Sequence, residues 1–241
     1  VLFRSGLLDA YVAAYWRTPN GPYHPDRLMK GNGDGTFTDV SQSARVTAAY
    51  PMQGASVTDW NNDGWPDVLT SPYCRSNGSL LRNEGDGSFR DIAPMAGYNA
   101  RQLQGDNGQN LCQWGAYPYD FDNDGDMDVL QVLVHGGLDA GEGRTVISIN
   151  QGPAQNYKLA QDLSRLHRSN PQSYHLGNMD APWLDMNNDM PLDPVVPERQ
   201  YPDNPAPPSL YLPGPDNRLS ATPPPPEPVR TTPTVPSPAA P

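Results

Sequence analysis

Two stretches of this chain place oxygen-bearing side chains at alternating positions. Asp59-Trp60-Asn61-Asn62-Asp63-Gly64-Trp65-Pro66-Asp67 aligns without a gap on Asp120-Phe121-Asp122-Asn123-Asp124-Gly125-Asp126-Met127-Asp128, 61 residues later. Side-chain oxygens recur at loop positions 1, 3, 5 and 9, and the glycine at position 6 permits the sharp turn that curls them about one point. So many carboxylates within a few ångströms repel one another unless a cation lies between them. Hard Ca²⁺ suits such a set, since it takes about six to eight oxygens at roughly 2.3–2.6 Å.

The first loop offers Asp59, Asn61, Asp63 and Asp67, with the Trp65 carbonyl at position 7. The second offers Asp120, Asp122, Asp124 and Asp128 with the Asp126 carbonyl, and its additional acid predicts the tighter site. A third copy follows with Asp185, Asn187, Asp189 and Asp193, but Met190 holds the turn position that prefers positive φ, so a weak or empty site is expected. An EF-hand would need a bidentate Glu at position 12, where this chain has Thr70 and Gln131.

The elements that position these loops are short. The apolar runs after each loop, Ala10 to Tyr15, Val68 to Thr70 and Val129 to Val134, are β-branched or aromatic and read as buried strands. Between the loops, Leu28-Met29-Lys30-Gly31-Asn32-Gly33-Asp34-Gly35-Thr36-Phe37-Thr38-Asp39 matches Leu80-Leu81-Arg82-Asn83-Glu84-Gly85-Asp86-Gly87-Ser88-Phe89-Arg90-Asp91. Each reads as strand, Gly-Asp-Gly hairpin turn and strand, with Phe37 and Phe89 expected in the core. A third copy keeps Ile147, Asn150, Gly152 and Tyr157 but loses the turn glycines, which predicts a degenerating blade. A repeat of about 60 residues with several short strands suits a four-stranded propeller blade. Leu159, Leu163 and Leu166 fall at i, i+4 and i+7, which predicts a short helix inserted between blades.

The organisation is therefore all-β: a partial propeller of about three blades over residues 6–193, then a disordered Pro-rich tail or linker over 194–241. Most of the 29 prolines lie after Met190. Residues 1–5 resemble a translated sequencing adaptor and are set aside as an artefact, although Gly6-Leu7-Leu8-Asp9 matches Gly64-Trp65-Pro66-Asp67 and predicts an acidic loop before Gly6.

A formal charge of −11 argues against nucleic-acid phosphates or anionic membranes as partners. No apolar run is long enough to enter a bilayer. The two cysteines, Cys74 and Cys112, lack metal-site spacing; they are open to one disulfide or to two buried thiols.

The loop Asp-x-Asn/Asp-x-Asp-Gly-x-x-Asp-Val-Leu, followed by Leu-x-Arg-Asn-x-Gly-Asp-Gly-Ser-Phe-x-Asp-Ile, resembles FG-GAP/VCBS repeats. These build integrin α-subunit propellers and the blades of the cartilage acidic protein group. The resemblance implies structural Ca²⁺ and a secreted, periplasmic or cell-surface location. It leads to the expectation of a non-catalytic module for adhesion or for binding a protein or carbohydrate ligand. The alternative is a scaffold or accessory domain of a secreted carbohydrate-active enzyme. No G-x-S-x-G or H-E-x-x-H motif is present, and His24, His135, His167 and His175 are scattered.

Overall fold

The computed structural model describes residues 2–15, 23–73, 77–99, 112–134, 145–162, 164, 166–167, 181–185, 188, 192–196, 209–213 and 219–222. Among these, secondary structure is almost entirely β, gathered in four sheets.

The first blade contains β1 (Ala10–Val12), β2 (Arg27–Gly31) and β3 (Phe37–Asp39), joined antiparallel in chain order. The second is a four-stranded meander of β4 (Met52–Thr58), β5 (Asp67–Pro72), β6 (Leu80–Asn83) and β7 (Phe89–Asp91). The third repeats that order with β8 (Cys112–Tyr119), β9 (Asp128–Val134), β10 (Val146–Asn150) and β11 (Leu159–Asp162). In both four-stranded blades the first strand slips register at one repeat position, between Met52 and Gly54 and between Gln113 and Gly115. These bulges bend the first strand at the same place in successive blades.

Strand β5 is buried along its whole length, and Val129, Leu130, Val132 and Leu133 of β9 are buried as well. Both strands lie inside their blade with apolar side chains packed against each face, which is why their apolar runs are continuous rather than alternating. Strand β1 departs from the expected buried run, with Val12 48% exposed.

The core lies between blades. Leu2, Leu28, Ala44 and Val46 pack against Val68, Leu81 and Phe89 of the second blade. Trp60, Leu69 and Leu80 of the second meet Ala116, Val129 and Leu159 of the third. Phe121, Leu130 and Ile147 of the third meet Ala181 and Trp183. Each fully buried Leu or Val contributes about 1.5–3 kcal/mol, so the blades hold together chiefly through these seams.

The last sheet has the order β12 (Leu166–His167), β16 (Leu219–Thr222), β15 (Ser209–Pro213), β14 (Asp193–Val196), β13 (Trp183–Leu184). Its β12–β16 pairing is parallel, and the other pairings are antiparallel.

Several expectations change. Leu159 and Leu166 belong to strands rather than an inserted helix, because the Leu159–Asp162 segment completes the ladder on β10 in the register Asn150↔Leu159. The third blade is complete despite its altered turn, which is rebuilt as a 3-10 turn over Pro153–Gln155 with Gly152 and Asn156 at positive φ. Phe89 is buried but Phe37 is 47% exposed, since the contacts that cover Phe89 come from the preceding blade. Leu2 and Phe3, set aside on sequence, pack there: Leu2 is buried, and the Phe3 ring meets Phe89 edge-on at 6.5 Å. Within the Pro-rich segment, β15 and β16 pair as strands; residues 223–241 lie outside the described residues.

Candidate metal centre

Each acidic loop is first of all a hydrogen-bonded turn. Asp59 accepts from the Asp63 N–H through Oδ1 (3.1 Å) and from the Gly64 N–H through Oδ2 (2.8 Å). Asp120 does the same with Asp124 (3.1 Å) and Gly125 (3.0 Å). The position 5 carboxylates then accept from position 7, Asp63 from Trp65 N–H (2.8 Å) and Asp124 from Asp126 N–H (2.9 Å). Position 4 turns left-handed in every copy: φ is 53° at Asn62, 59° at Asn123 and 62° at Asn188. Arg4, at the aligned position before Gly6, has φ 50°, so the opening residues follow the same turn.

These bonds gather the carboxylates. In the second loop one oxygen each from Asp120, Asp122 and Asp124 lies within 4.8 Å of the other two. In the first loop position 3 is an amide, and Asn61 donates through Nδ2 to Asp63 Oδ2 at 2.8 Å. Its Oδ1 is buried with no hydrogen-bond donor, an acceptor turned inward where a cation would satisfy it. The donor set is all oxygen, the chemistry that suits Ca²⁺. The residues therefore fit the ion.

Position 9 does a second job that spacing did not reveal. Asp67 accepts from the Trp60 N–H (2.9 Å) and from the Asn83 N–H (2.8 Å), and Asp128 accepts from Phe121 (2.9 Å) and Asn150 (2.7 Å). Asp9 straps its own blade likewise, to Phe3 (3.2 Å) and Gly31 (3.1 Å). The carboxylate thus ties the loop to the neighbouring strand in three successive blades. Each oxygen keeps a second lone pair, so the strap and metal ligation are compatible.

Burial pushes the Asp67 carboxyl up to about 7; the N–H bonds from Asn83 and Trp60 oppose the rise, while the charges of Asp63 and Asp59 add to it. Asp128 is likewise pushed up to about 7 by burial, against the bonds from Asn150 and Phe121 and with the charges of Asp122 and Asp124. Burial, then Asp124 and Asp120, raise Asp126 as well. A cation in the loop would reverse that charge environment.

The asparagine after each strap clasps neighbouring blades. Asn83 Nδ2 donates to the carbonyls of Leu2 (2.7 Å) and Pro66 (3.1 Å), and Asn150 Nδ2 to those of Trp60 (3.1 Å) and Met127 (3.2 Å). The asparagines aligned in the second and third copies of the hairpin motif, where the first has Gly31, were the available signal for this clasp.

In the third loop, Asp185 is exposed and Asp193 is buried at the start of β14, the place Asp67 and Asp128 occupy in their blades. Asn187, Asp189 and Met190 lie outside the described residues. So does Cys74, and with it the choice between a disulfide to Cys112 and two thiols.

Blades with strapped, acid-lined loops at the head of the second strand define a repeat protein of the propeller class. A model of the FG-GAP-like repeat matches residues 4–70 and 59–131, more than half of the chain. The chain belongs to the FG-GAP-like repeat family. Over 109 residues it is 28% identical to cartilage acidic protein 1 of Xenopus tropicalis, a match covering 44% of this chain and 15% of that protein. A solved structure described as the structural basis of specific recognition of non-reducing terminal N-acetylglucosamine by an Agrocybe aegerita lectin aligns with 89% of this chain and 65% of its own. Its sequence identity is 13% and its TM-score 0.35, too low to support a shared fold.

Proposed function

We propose that this chain is a calcium-stiffened, non-catalytic propeller module that works outside the cytoplasm in adhesion or in binding a protein or carbohydrate ligand. The observation that carries the reading is the convergence of Asp120, Asp122 and Asp124 on one point, repeated in the first loop with a buried, donorless Asn61 oxygen. When bound, calcium would neutralise the loop carboxylates. Asp120, Asp122 and Asp124 would hold it in the second loop, and Asp59, Asn61 and Asp63 in the first, with the position 7 carbonyls and the position 9 carboxylates behind them.

The protein's own contribution is to hold these groups close together before the ion arrives. Backbone N–H groups at positions 5, 6 and 7 fix the carboxylates of positions 1 and 5. Position 9 anchors the loop to the blade through β6 or β10. A site of this kind can be as weak as about 10⁻⁴ to 10⁻³ M and still stay loaded in extracellular calcium. An extracellular location is also in keeping with the kinship to cartilage acidic protein 1. No helix among the described residues is long and apolar enough to cross a membrane.

Isothermal titration of the EDTA-treated protein with CaCl₂ tests the proposal. Two saturable sites are expected, with a rise in unfolding free energy of about 2.7 kcal/mol per site at a hundredfold excess over Kd. No heat and no thermal shift would overturn it.

A further inference from the structure

The side chain at position 7 of each loop is held between two groups in the second and third blades, and its counterpart in the first meets one of them. In the first, the Leu7 side chain abuts Gly33, where an added Cβ would lie 3.3 Å from it. In the second, Trp65 packs on Gly85, where a Cβ would meet its Nε1 at 2.9 Å. In the third, Asp126 sits against Gly152, where a Cβ would meet its Oδ2 at 2.8 Å. All three glycines have positive φ. They leave room for a wedge whose size differs from blade to blade.

The other side of the wedge comes from the preceding blade. The Arg4 guanidinium lies 5.1 Å from the centre of the Trp65 ring, a cation–π geometry. Asn62 Nδ2 donates to Asp126 Oδ1 at 2.7 Å and to the Gly125 carbonyl at 3.2 Å. Arg4 and Asn62 share position 4 and the left-handed backbone that projects their side chains across the seam. Two independent seams therefore use one geometry with different chemistry.

We infer that position 4, at Arg4 and at Asn62, is a latch that positions position 7 of the next loop, so that Asn62 of the first acidic loop is a positioning residue for the second. Asn62 holds both the Gly125 carbonyl and the Asp126 side chain, and so sets the direction of the Asp126 carbonyl, the backbone ligand of the second loop. The calcium consequence rests on the function proposed above; the mechanical consequence does not. Loss of the latch loosens residues 120–128 while leaving residues 59–67, which contain Asn62, at their original strength. The Asn150 clasp on Trp60 keeps the seam closed meanwhile.

The test is Asn62→Gly, which tolerates the left-handed backbone but removes the amide. Amide exchange by mass spectrometry on the calcium-free protein is expected to speed at least about fivefold in 120–128, as for loss of the two hydrogen bonds of the Asn62 amide. The 59–67 segment stays unchanged. Calcium titration of each loop alone uses backgrounds that disable the other, Asp63→Asn for the first and Asp124→Asn for the second. A Kd about tenfold weaker is expected in 120–128 only, as for an outer-shell partner. Unchanged exchange or unchanged affinity in 120–128 overturns the latch, as does an effect confined to 59–67. If the wild-type protein takes up no calcium, the metal reading falls and the exchange arm decides the latch by itself.

Discussion

The loops at 59–67 and 120–128 share a backbone course and, among the oxygen-bearing positions 1, 3, 5 and 9, differ at position 3, where Asn61 stands against Asp122. Asn61 spends its amide on Asp63, so the first loop satisfies part of its own charge by hydrogen bonding. Asp122 has no side-chain N–H to give, and the second loop gathers three carboxylates instead. The first loop is therefore the more self-sufficient without an ion, and the second gains more from one. The strap at position 9, by contrast, is the same in both. Stability of the blade and affinity for a cation are thus carried by different residues of one nine-residue segment.

The largest effect expected is a pH dependence common to both loops. Asp67 and Asp128 have folded values near 7, raised above the usual carboxylate value near 3.8. Their contribution is fully present below about pH 4 and is lost as pH rises through about 7, where the buried carboxyls must ionise. In EDTA the protein should lose stability across that window by several kcal/mol in all, since a tenfold change in a protonation equilibrium is worth roughly 1.4 kcal/mol. Saturating calcium should flatten the curve. Urea unfolding at pH 4.5, 6 and 8 measures both, and a rise in apo stability with pH would contradict the buried straps.

Cutting a strap comes next. Asp67→Ala and Asp128→Ala should each cost about 3 kcal/mol in calcium-free denaturant titrations near pH 6, because two buried N–H groups lose their acceptor. Equal losses support one strap in two blades. A loss in the second loop's blade alone would mean that position 9 does not carry the same strap in both.

A smaller effect separates the loops. Asp122→Asn should make the second resemble the first and weaken its calcium Kd about tenfold, some 1.4 kcal/mol, while Asn61→Asp strengthens the first. Calorimetry on single-loop backgrounds reads both. The smallest change is expected for Asp34→Ala, since Asp34 only closes the exposed turn through the Thr36 N–H and hydroxyl. Its thermal unfolding midpoint should barely move, with no change in calcium affinity.

Much of the fold could be read from residue pattern alone. The gapless match of the two loops marks where β5 and β9 begin, and the hairpin motif marks β6 and β7. What stayed hidden depends on neighbours distant in sequence. Phe37 and Phe89 end the same motif, yet only Phe89 meets Leu2 and Phe3. Leu159 has helical spacing with Leu163 and Leu166, but the ladder to Asn150 decides its state. Composition over the Pro-rich segment masks Leu210-Tyr211-Leu212, which finds a partner strand in Leu219–Thr222. In the loops, the alternation of acids pointed to a cation site. It gave no sign that position 9 also bonds a strand 16 or 22 residues away.

The pairing of Arg4 with Trp65 and of Asn62 with Asp126 makes adjacent blades non-interchangeable. Were the second and third blades shuffled, Arg4 would meet the Asp126 carboxylate in place of the Trp65 ring, an ion pair in place of a cation–π contact, and an asparagine would face an indole it cannot satisfy. Repeats that look alike in alignment thereby carry their own place in line. A recombined gene would preserve every loop and still change the chemistry at each joint.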